Sequence, residues 1–424
     1  MKKIVFIGII GLMGIMGATA QETVRMTLDS CLRYAHEHNL QVQTAILNQQ
    51  SSEATLSGSK MRFLPSVSAS ASQGWSWDSQ FSRNTQYGVN GSLTLFNGLS
   101  NLRTLQQSRL SNDQSTLKVK QTENSVDIQI MQAYLSILMN QEKLSYQKEV
   151  LETSRQQKLE GEVKHQVGRI LESDYMLLDA NYTAAEADLE NTRLAIEDAL
   201  SGLADILGLA NMKLEVVPST DTLRATDRTV PLHDSVMAQA QRSMPDWQIS
   251  EMDVDLARIN VRLAGSSFMP SLSLNAGYGG MWLPGSATGN AIEDNSSLTL
   301  GLSIPIFDKG SSVTQYKQSK IALQQAELQH QQTLLDLGAQ IDDLYLTTQQ
   351  ALNRYRASEA LCEAYHASYE VYVLKYAEGA VTTVELLQQQ DRYLSALNDY
   401  LQSKYNYLLA EKQLDIYTGK EIKL

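Results

Sequence analysis

Four short segments of strict period-two alternation constrain this chain more than any other feature. From Ser66, one face reads Ser66, Ser68, Ser70, Ser72, Gly74 and Ser76, and the other Val67, Ala69, Ala71, Gln73, Trp75 and Trp77. Tyr87, Val89, Leu93 and Leu95 oppose Gly88, Asn90, Ser92 and Thr94. Leu272, Leu274, Ala276, Tyr278 and Trp282 oppose Ser271, Ser273, Asn275 and Gly277, and Leu298, Leu300, Leu302, Ile304 and Ile306 oppose Ser297, Thr299, Gly301 and Ser303. Such alternation marks strands, because successive side chains point to opposite faces. The polar face is serine, glycine and amide, which suits the wet interior of a membrane barrel; a soluble sheet with one wet face remains the competing interpretation. Four strands cannot close a membrane barrel, since the smallest have about eight, and an open edge in lipid leaves backbone groups unpaired. If these strands span a membrane, several chains must share one barrel. Two copies would supply eight strands and three would supply twelve, and strand physics alone does not choose.

The chain starts like an exported protein. Lys2 and Lys3 precede an uncharged run from Ile4 to Met16, and Ala18-Thr19-Ala20 is a small-x-small cleavage site, so residues 1–20 are expected to be a signal peptide. Elsewhere no predominantly apolar stretch reaches the roughly 20 residues that a spanning helix needs. Lys+Arg total 35 against Asp+Glu 47, a net charge of −12 that becomes −14 without the two leader lysines. No basic patch is available for nucleic acid, and a conduit built from such chains is expected to be anionic inside. Two cysteines exclude a disulfide scaffold; Cys31 and Cys362 are either a far-spaced pair or buried apolar residues.

The chain also repeats itself. Phe63-Leu64-Pro65-Ser66 returns as Phe268-Met269-Pro270-Ser271 at offset 205, whereas Leu95-Phe96-Asn97 returns as Ile306-Phe307-Asp308 and Gly168 as Gly379 at offset 211. Six residues are therefore inserted within the second strand pair. The expected first repeat covers 21–212, with strands about 66–81 and 87–96 and long helices about 101–208; a linker covers 213–231. The second repeat covers 232–424, with strands about 271–282 and 297–307, an external loop over Leu283–Asn295, and long helices about 310–418. No proline interrupts the helical stretches. Apolar or small residues recur at steps of four and three through Leu171, Tyr175, Leu178, Tyr182, Ala185 and Leu189, through Val126, Ile130, Ala133 and Ile137, and through Leu337, Ile341 and Leu344. Such 3.5-residue seams mean coiled-coil packing. A second stripe, Ile128, Met131, Leu135 and Leu138, implies neighbours on two sides. The fold class expected is mainly α with a transmembrane β part.

These motifs in this order, twice over, resemble the TolC-type outer-membrane efflux family. The resemblance rests on the duplication, Thr27-Leu28 and Asn39 about the first helix, Phe63-Leu64-Pro65, Leu95-Phe96-Asn97-Gly98, Ile304-Pro305-Ile306-Phe307-Asp308, Val167-Gly168 and Tyr376-Ala377-Glu378-Gly379. It implies a homotrimer in the cell outer membrane: a 12-stranded β-barrel in lipid, continued by a 12-helix coiled-coil α-barrel through the periplasm. It also implies a passive exit duct for efflux or type I secretion, with a periplasmic adaptor (membrane fusion) protein and an inner-membrane pump of RND or ABC type as partners. The adaptor-contacting tips would be Val167, Gly168, Arg169, Gly379 and Ala380, and the periplasmic gate Asp174, Tyr376 and Glu385. The first copy has His165 where the second has Tyr376. Val381 stands where the family can carry a latch arginine, and Gln388 where it can carry a further acid. Asp174 and Glu385 can equally be ordinary acids at helix starts, favoured by the macrodipole. Trp75, Trp77, Tyr278 and Trp282 are expected to form a membrane-interface aromatic belt.

No constellation for catalysis, metal or cofactor is visible. His36-Glu37-His38 places its histidines two apart, on different helix faces, and Gly277-Tyr278-Gly279-Gly280 lies in a strand rather than before a phosphate-binding helix. A soluble periplasmic coiled-coil scaffold without channel activity is the alternative from another functional class.

Overall fold

A computed structural model describes residues 23–77, 81–209, 213–217, 228–286 and 289–420. The signal peptide expected at 1–20 lies outside them. After a short strand β1 (Thr23–Met26), Thr27 closes a capping box with Ser30 and starts α1 (Leu28–His38). Asn39 ends α1 and caps α2 (Leu40–Met61), accepting from the Gln41 and Val42 amides. It also donates Nδ2 to the Ile206 carbonyl at 2.7 Å, which explains why an amide is useful at this corner.

Strands β2 (Ser66–Trp77) and β3 (Phe81–Asn97) follow, and then α3 (Ser100–Gln166) and α4 (Glu172–Leu207). Strand β4 (Lys213–Val216) returns to pair in parallel with β1. The second copy repeats the order: α5 (His233–Ser243), α6 (Pro245–Gly265), β5 (Ser271–Ser286), β6 (Gly289–Ser303), α7 (Ser311–Ala377) and α8 (Thr383–Tyr417). Helices α3 and α7 each have 67 residues, a length of about 100 Å at 1.5 Å per residue.

The two long helices start alike. Gly98 and Leu99 hold φ of 64° and 67°, and Lys309 and Gly310 hold 59° and 83°. A left-handed pair thus turns the chain from sheet to helix in both copies. The residue just before it supplies the capping oxygen: Asn97 Oδ1 accepts from the Asn101 amide at 3.2 Å, and Asp308 accepts from Gly310 and Ser312 at 3.1 and 2.7 Å. The Ser312 hydroxyl first, and then these amides, hold the Asp308 carboxyl below its ordinary range.

The main sheet is antiparallel in the order β2-β3-β5-β6. Its register lines up Leu93 with Leu274, Leu272 with Leu302, Leu274 with Leu300 and Ala276 with Leu298. The other face lines up Ser68 with Asn90, Asn90 with Gly277 and Asn275 with Thr299. Over 66–76, 84–94, 271–279 and 295–303 that small polar face carries no charged side chain.

Four boundaries differ from expectation, the first being β3, which begins at Phe81 rather than at about 87. The linker over 213–231 begins with β4, which is too short for alternation to register. The external loop expected over Leu283–Asn295 is mostly strand, since pairing continues through Leu283 with Ala291 and Ser286 with Gly289, with an irregularity between Leu283 and Ser286 beside Pro284. Strand β6 stops at Ser303, so Ile304 and Ile306 lie beyond it; Pro305 has no amide to continue a ladder.

Buried residues from α1, α3 and α4 form the main core, with Val126, Ile130 and Ile137 of one seam and Met131, Leu135 and Leu138 of the second stripe all inside. Helix α2 packs on α3, α6 packs on both α3 and α7, and α3 and α8 join the two halves. Cys31 is fully buried in this core and Cys362 belongs to another cluster, and both thiols are free. Burial pushes the Cys31 thiol up to about 11. Among the described residues no helix is long and apolar enough to cross a membrane.

Candidate functional site at the helical hairpin tips

Both long hairpins turn through the same backbone device. Gly168 and Gly379 hold φ of 71° and 76°, which a residue without Cβ adopts freely. The Arg169 amide donates to the Lys164 carbonyl at 2.7 Å and the Ala380 amide to the Lys375 carbonyl at 2.8 Å. The glycine amides donate to His165 and Tyr376 at 2.9 and 3.0 Å. Together these are Schellman motifs, which satisfy carbonyls left over at a helix end. Val167 caps α3 and is exposed, as are Gly168, Arg169, Gly379 and Ala380. The expected tip residues therefore share one exposed end of the two hairpins. The Arg169 guanidinium makes no ion pair among the described residues, so it does not replace the absent latch arginine within the chain.

The two tips differ one turn further on. Leu171 starts α4 without a side-chain cap. Thr382 starts α8 with a capping box: the Glu385 carboxylate accepts from the Thr382 amide at 2.8 Å and its hydroxyl at 2.9 Å. These bonds hold the Glu385 carboxyl below its ordinary range. Glu385 is exposed and Asp174 is half-buried.

Tyr376 is 4% exposed, and its hydroxyl meets no partner in hydrogen-bond geometry. Burial pushes the phenol up; Thr383 beside it pulls the other way, and Glu160 and Asp174 add to the rise. Lys164, from the first hairpin, reaches across. Its Nζ donates to the Tyr376 carbonyl at 2.8 Å and lies 4.0 Å from the ring centroid. His165, the first-copy counterpart of Tyr376, instead stacks on Tyr175 at 5.9 Å. The structure thus brings Tyr376 and Asp174 into one neighbourhood and adds Lys164, which sequence reasoning missed.

Further polar ties join the hairpins above the tips. Gln157 donates to Tyr369 Oη at 3.1 Å, Gln390 to Ser154 Oγ at 3.2 Å, and Asn181 to Gln390 Oε1 at 3.2 Å. Lys404 reaches both Glu142 oxygens at 2.8 Å. Gly161 lets α3 and α4 approach closely, since a Cβ there would fall 2.4 Å from Leu178 Cδ1. A lone glycine in a helical run was its only sequence signal.

At the opposite end, Trp75, Trp77 and Tyr278 are exposed on their strands, and Trp282 pairs in register with Thr85. Tyr87 and Tyr278 both donate to Asp294, at 2.5 and 3.2 Å, so an acid on the apolar face is tied by two phenols. His36 and His38 diverge as expected: His36 Nε2 bonds Asp127 at 2.7 Å and His38 Nδ1 the Tyr34 carbonyl at 3.0 Å.

Comparison with known proteins agrees with this geometry. The family model described as outer membrane efflux protein matches residues 32–209 and 236–420. Outer membrane protein TolC of Vibrio cholerae serotype O1 is 22% identical over 403 residues, covering 90% of this chain and 87% of that protein. Alkaline protease secretion protein AprF of Pseudomonas aeruginosa is 20% identical over 292 residues, covering 69% of this chain and 61% of that one. Among solved structures, CusC superposes with a TM-score of 0.79 at 17% identity, covering 93% of this chain and 92% of its own. The Campylobacter jejuni CmeC outer membrane channel gives 0.78 at 19% identity, covering 92% and 85%.

Proposed function

This chain belongs to the outer membrane efflux protein family, and from that premise we propose that three copies form one passive exit duct whose periplasmic mouth stays closed until an adaptor docks. The observation that carries this reading is the open sheet. Strands β2 and β6 are its two edges, and its apolar face is bare, with Val67, Leu298, Leu300 and Leu302 all exposed. In lipid each unpaired edge group costs several kcal/mol, so β6 of one copy must meet β2 of the next. Three such copies give the 12-stranded barrel that the family resemblance implies.

The helices support the same arrangement through their internal symmetry. Helix α3 packs on α2 and α4 of its own half and on α6 and α8 of the other. Helix α7 packs on α5, α6 and α8 of its own half and has no comparable contact with α2 or α4. Its exposed Ile321, Leu328, Leu346 and Leu374, with exposed Leu40 and Leu47 on α2 and Met176 and Leu194 on α4, are the surfaces a neighbouring copy would cover.

At the mouth, Asp174, Tyr376 and Glu385 act as the gate. Tyr376 holds the two hairpins of a copy together through Lys164, and three copies of the acids ring the constriction. The exposed tips at Val167–Arg169 and Gly379–Ala380 meet the adaptor, through which an inner-membrane pump delivers cargo. The duct itself performs no chemistry.

Bilayer conductance, measured together with the mass of the detergent-extracted protein, tests this. Trimer mass with discrete channels is expected; a monomer released by osmotic shock, with no conductance, overturns the duct and leaves a soluble scaffold. Substituting Tyr376 and Glu385 together is expected to raise single-channel conductance, and unchanged conductance removes them from the gate.

A further inference from the structure

A cavity of about 280 Å³ lies between α3, α7 and α8, well above the tips, and none of the residues discussed so far requires it. Helix α7 gives it Glu359, Cys362, Glu363 and His366, spaced so that all four lie on one helical face. Helix α8 contributes Tyr393 and Tyr400, and α3 contributes Tyr146.

The tyrosine rings are fixed in place. Tyr393 stacks on Tyr369 at 5.8 Å and meets the His366 ring at 5.0 Å, while Tyr400 leans on Tyr355 at 5.9 Å. Tyr393 is only 7% exposed, and its ring forms part of the cavity wall.

The charges around the cavity are one-sided. Glu359 and Glu363 line it, and neither carboxylate makes an ion pair or hydrogen bond among the described residues. No lysine or arginine lines it. Lys404 lies 5.8 Å from the Tyr400 ring centroid but is held by both Glu142 oxygens. Metal is the wrong occupant: among the described residues no three His, Cys, Asp or Glu groups converge on one point. Aromatic faces beside free carboxylates attract a cation with apolar substituents, since such a cation sheds water readily and is drawn to the ring quadrupole. The volume falls at the small end of ligand pockets, which start at about 300 Å³.

We propose that this cavity is a binding site for small organic ammonium ions, with the apolar substituents against Tyr146 and Tyr393 and the charge facing Glu359 and Glu363. The site would hold cationic molecules on the helical wall. It stands apart from the duct reading, because binding is read on the detergent-solubilised chain whatever its conductance.

Cys362 is a built-in reporter, since the other thiol, Cys31, is fully buried. Alkylation of the full-length protein by N-ethylmaleimide is followed with choline, with its neutral isostere 3,3-dimethylbutan-1-ol, or with sodium chloride at equal concentration. Choline at ten times its Kd is expected to slow labelling about tenfold, following the occupied fraction, and the isostere and sodium are expected to leave it unchanged. The ratio of the rate without choline to the rate with it is expected to fall from about ten to one in the double variant Glu359→Gln/Glu363→Gln, and to drop in Tyr146→Leu, whose choline-free labelling rate reports an intact fold. Equal protection by the neutral isostere reduces the site to an apolar cleft and overturns the proposal. So does a thiol that labels only in urea, which means a covered cavity, or one that choline does not protect.

Discussion

Lys164 Nζ lies 4.0 Å from the centre of the Tyr376 ring and 2.8 Å from the Tyr376 carbonyl, so one side chain of the first hairpin grips the last turn of α7 twice. An ammonium at a helix C-terminus complements the macrodipole, and the same charge over a largely buried ring adds a cation–π attraction. No other ion pair or cation–π contact recorded among the described residues joins the two hairpins as close to the tips.

Removing that grip should loosen the mouth without unfolding the molecule. Lys164→Gln forfeits a contact of about 1–2 kcal/mol and is expected to raise single-channel conductance, with little change in thermal midpoint. Lys164→Arg keeps a cation over the ring and is expected to stay near the parent conductance. If the two variants conduct alike, the charge over the ring plays no part in closure.

Much of this architecture was legible because its signals are long. The seam through Val126, Ile130 and Ile137 and the alternation from Leu272 to Ala276 repeat often enough to fix helix and strand, and both are buried or registered as their periods require. The Lys164–Tyr376 contact was not legible. It spans 212 residues of sequence, and a lysine in the last turn of a helix is already explained by the dipole. Leu283–Asn295 read as a loop because Pro284, Gly285 and Gly289 are turn residues in isolation, whereas the ladder continues beyond an irregularity that accommodates them. Strands β1 and β4 are too short to show a period, and only their pairing makes them strands. At Glu385 the sequence left two roles open, and the capping box shows that the helix-start role is real whatever the gate requires.

Gly161→Ala tests how tightly α3 and α4 are joined near the tip. The added Cβ meets Leu178 Cδ1, and Leu178 is 1% exposed, so it has nowhere to swing. Overpacking costs about 1–3 kcal/mol, offset by about 1 kcal/mol of helix propensity gained over glycine. A lower thermal midpoint is expected, and adding Leu178→Ala is expected to lower it by less than the sum of the two single changes. Simple additivity of the two changes in a double-mutant cycle would show that they do not touch.

Two histidine–aspartate pairs tie short helices to long ones. The His36 pKa is raised by its hydrogen bond to Asp127, against some burial, and that of His233 by its bonds to Asp342 and then Asp234. A folded pKa above the unfolded value of 6.5 means that the stabilisation is complete below about pH 6.5 and fades as pH rises through the folded value. The thermal midpoint is therefore expected to fall as pH rises above about 6.5, and His36→Gln with His233→Gln should flatten that slope. An unchanged slope in the double variant places the titration elsewhere.

The joint between sheet and helix offers the cleanest comparison, because Asn97 and Asp308 occupy equivalent places in the two copies. Each caps the first turn of a long helix, but only Asp308 does so with a charge, accepting from the Gly310 and Ser312 amides. Its carboxyl lies below its ordinary range through the Ser312 hydroxyl first and then through those amides. That contribution is present above the unfolded carboxyl pKa and is lost as pH falls through the folded one. Asp308→Ala is expected to speed hydrogen exchange at the Ser312 amide while leaving Asn101 unchanged, and Asn97→Ala to do the reverse. Asp308→Asn should keep the cap but remove its acid sensitivity, so that exchange at Ser312 no longer accelerates relative to Asn101 below about pH 4, near the ordinary carboxyl pKa. Equal acceleration at both amides in Asp308→Ala would mean that the two helix starts melt together and that the cap is not local.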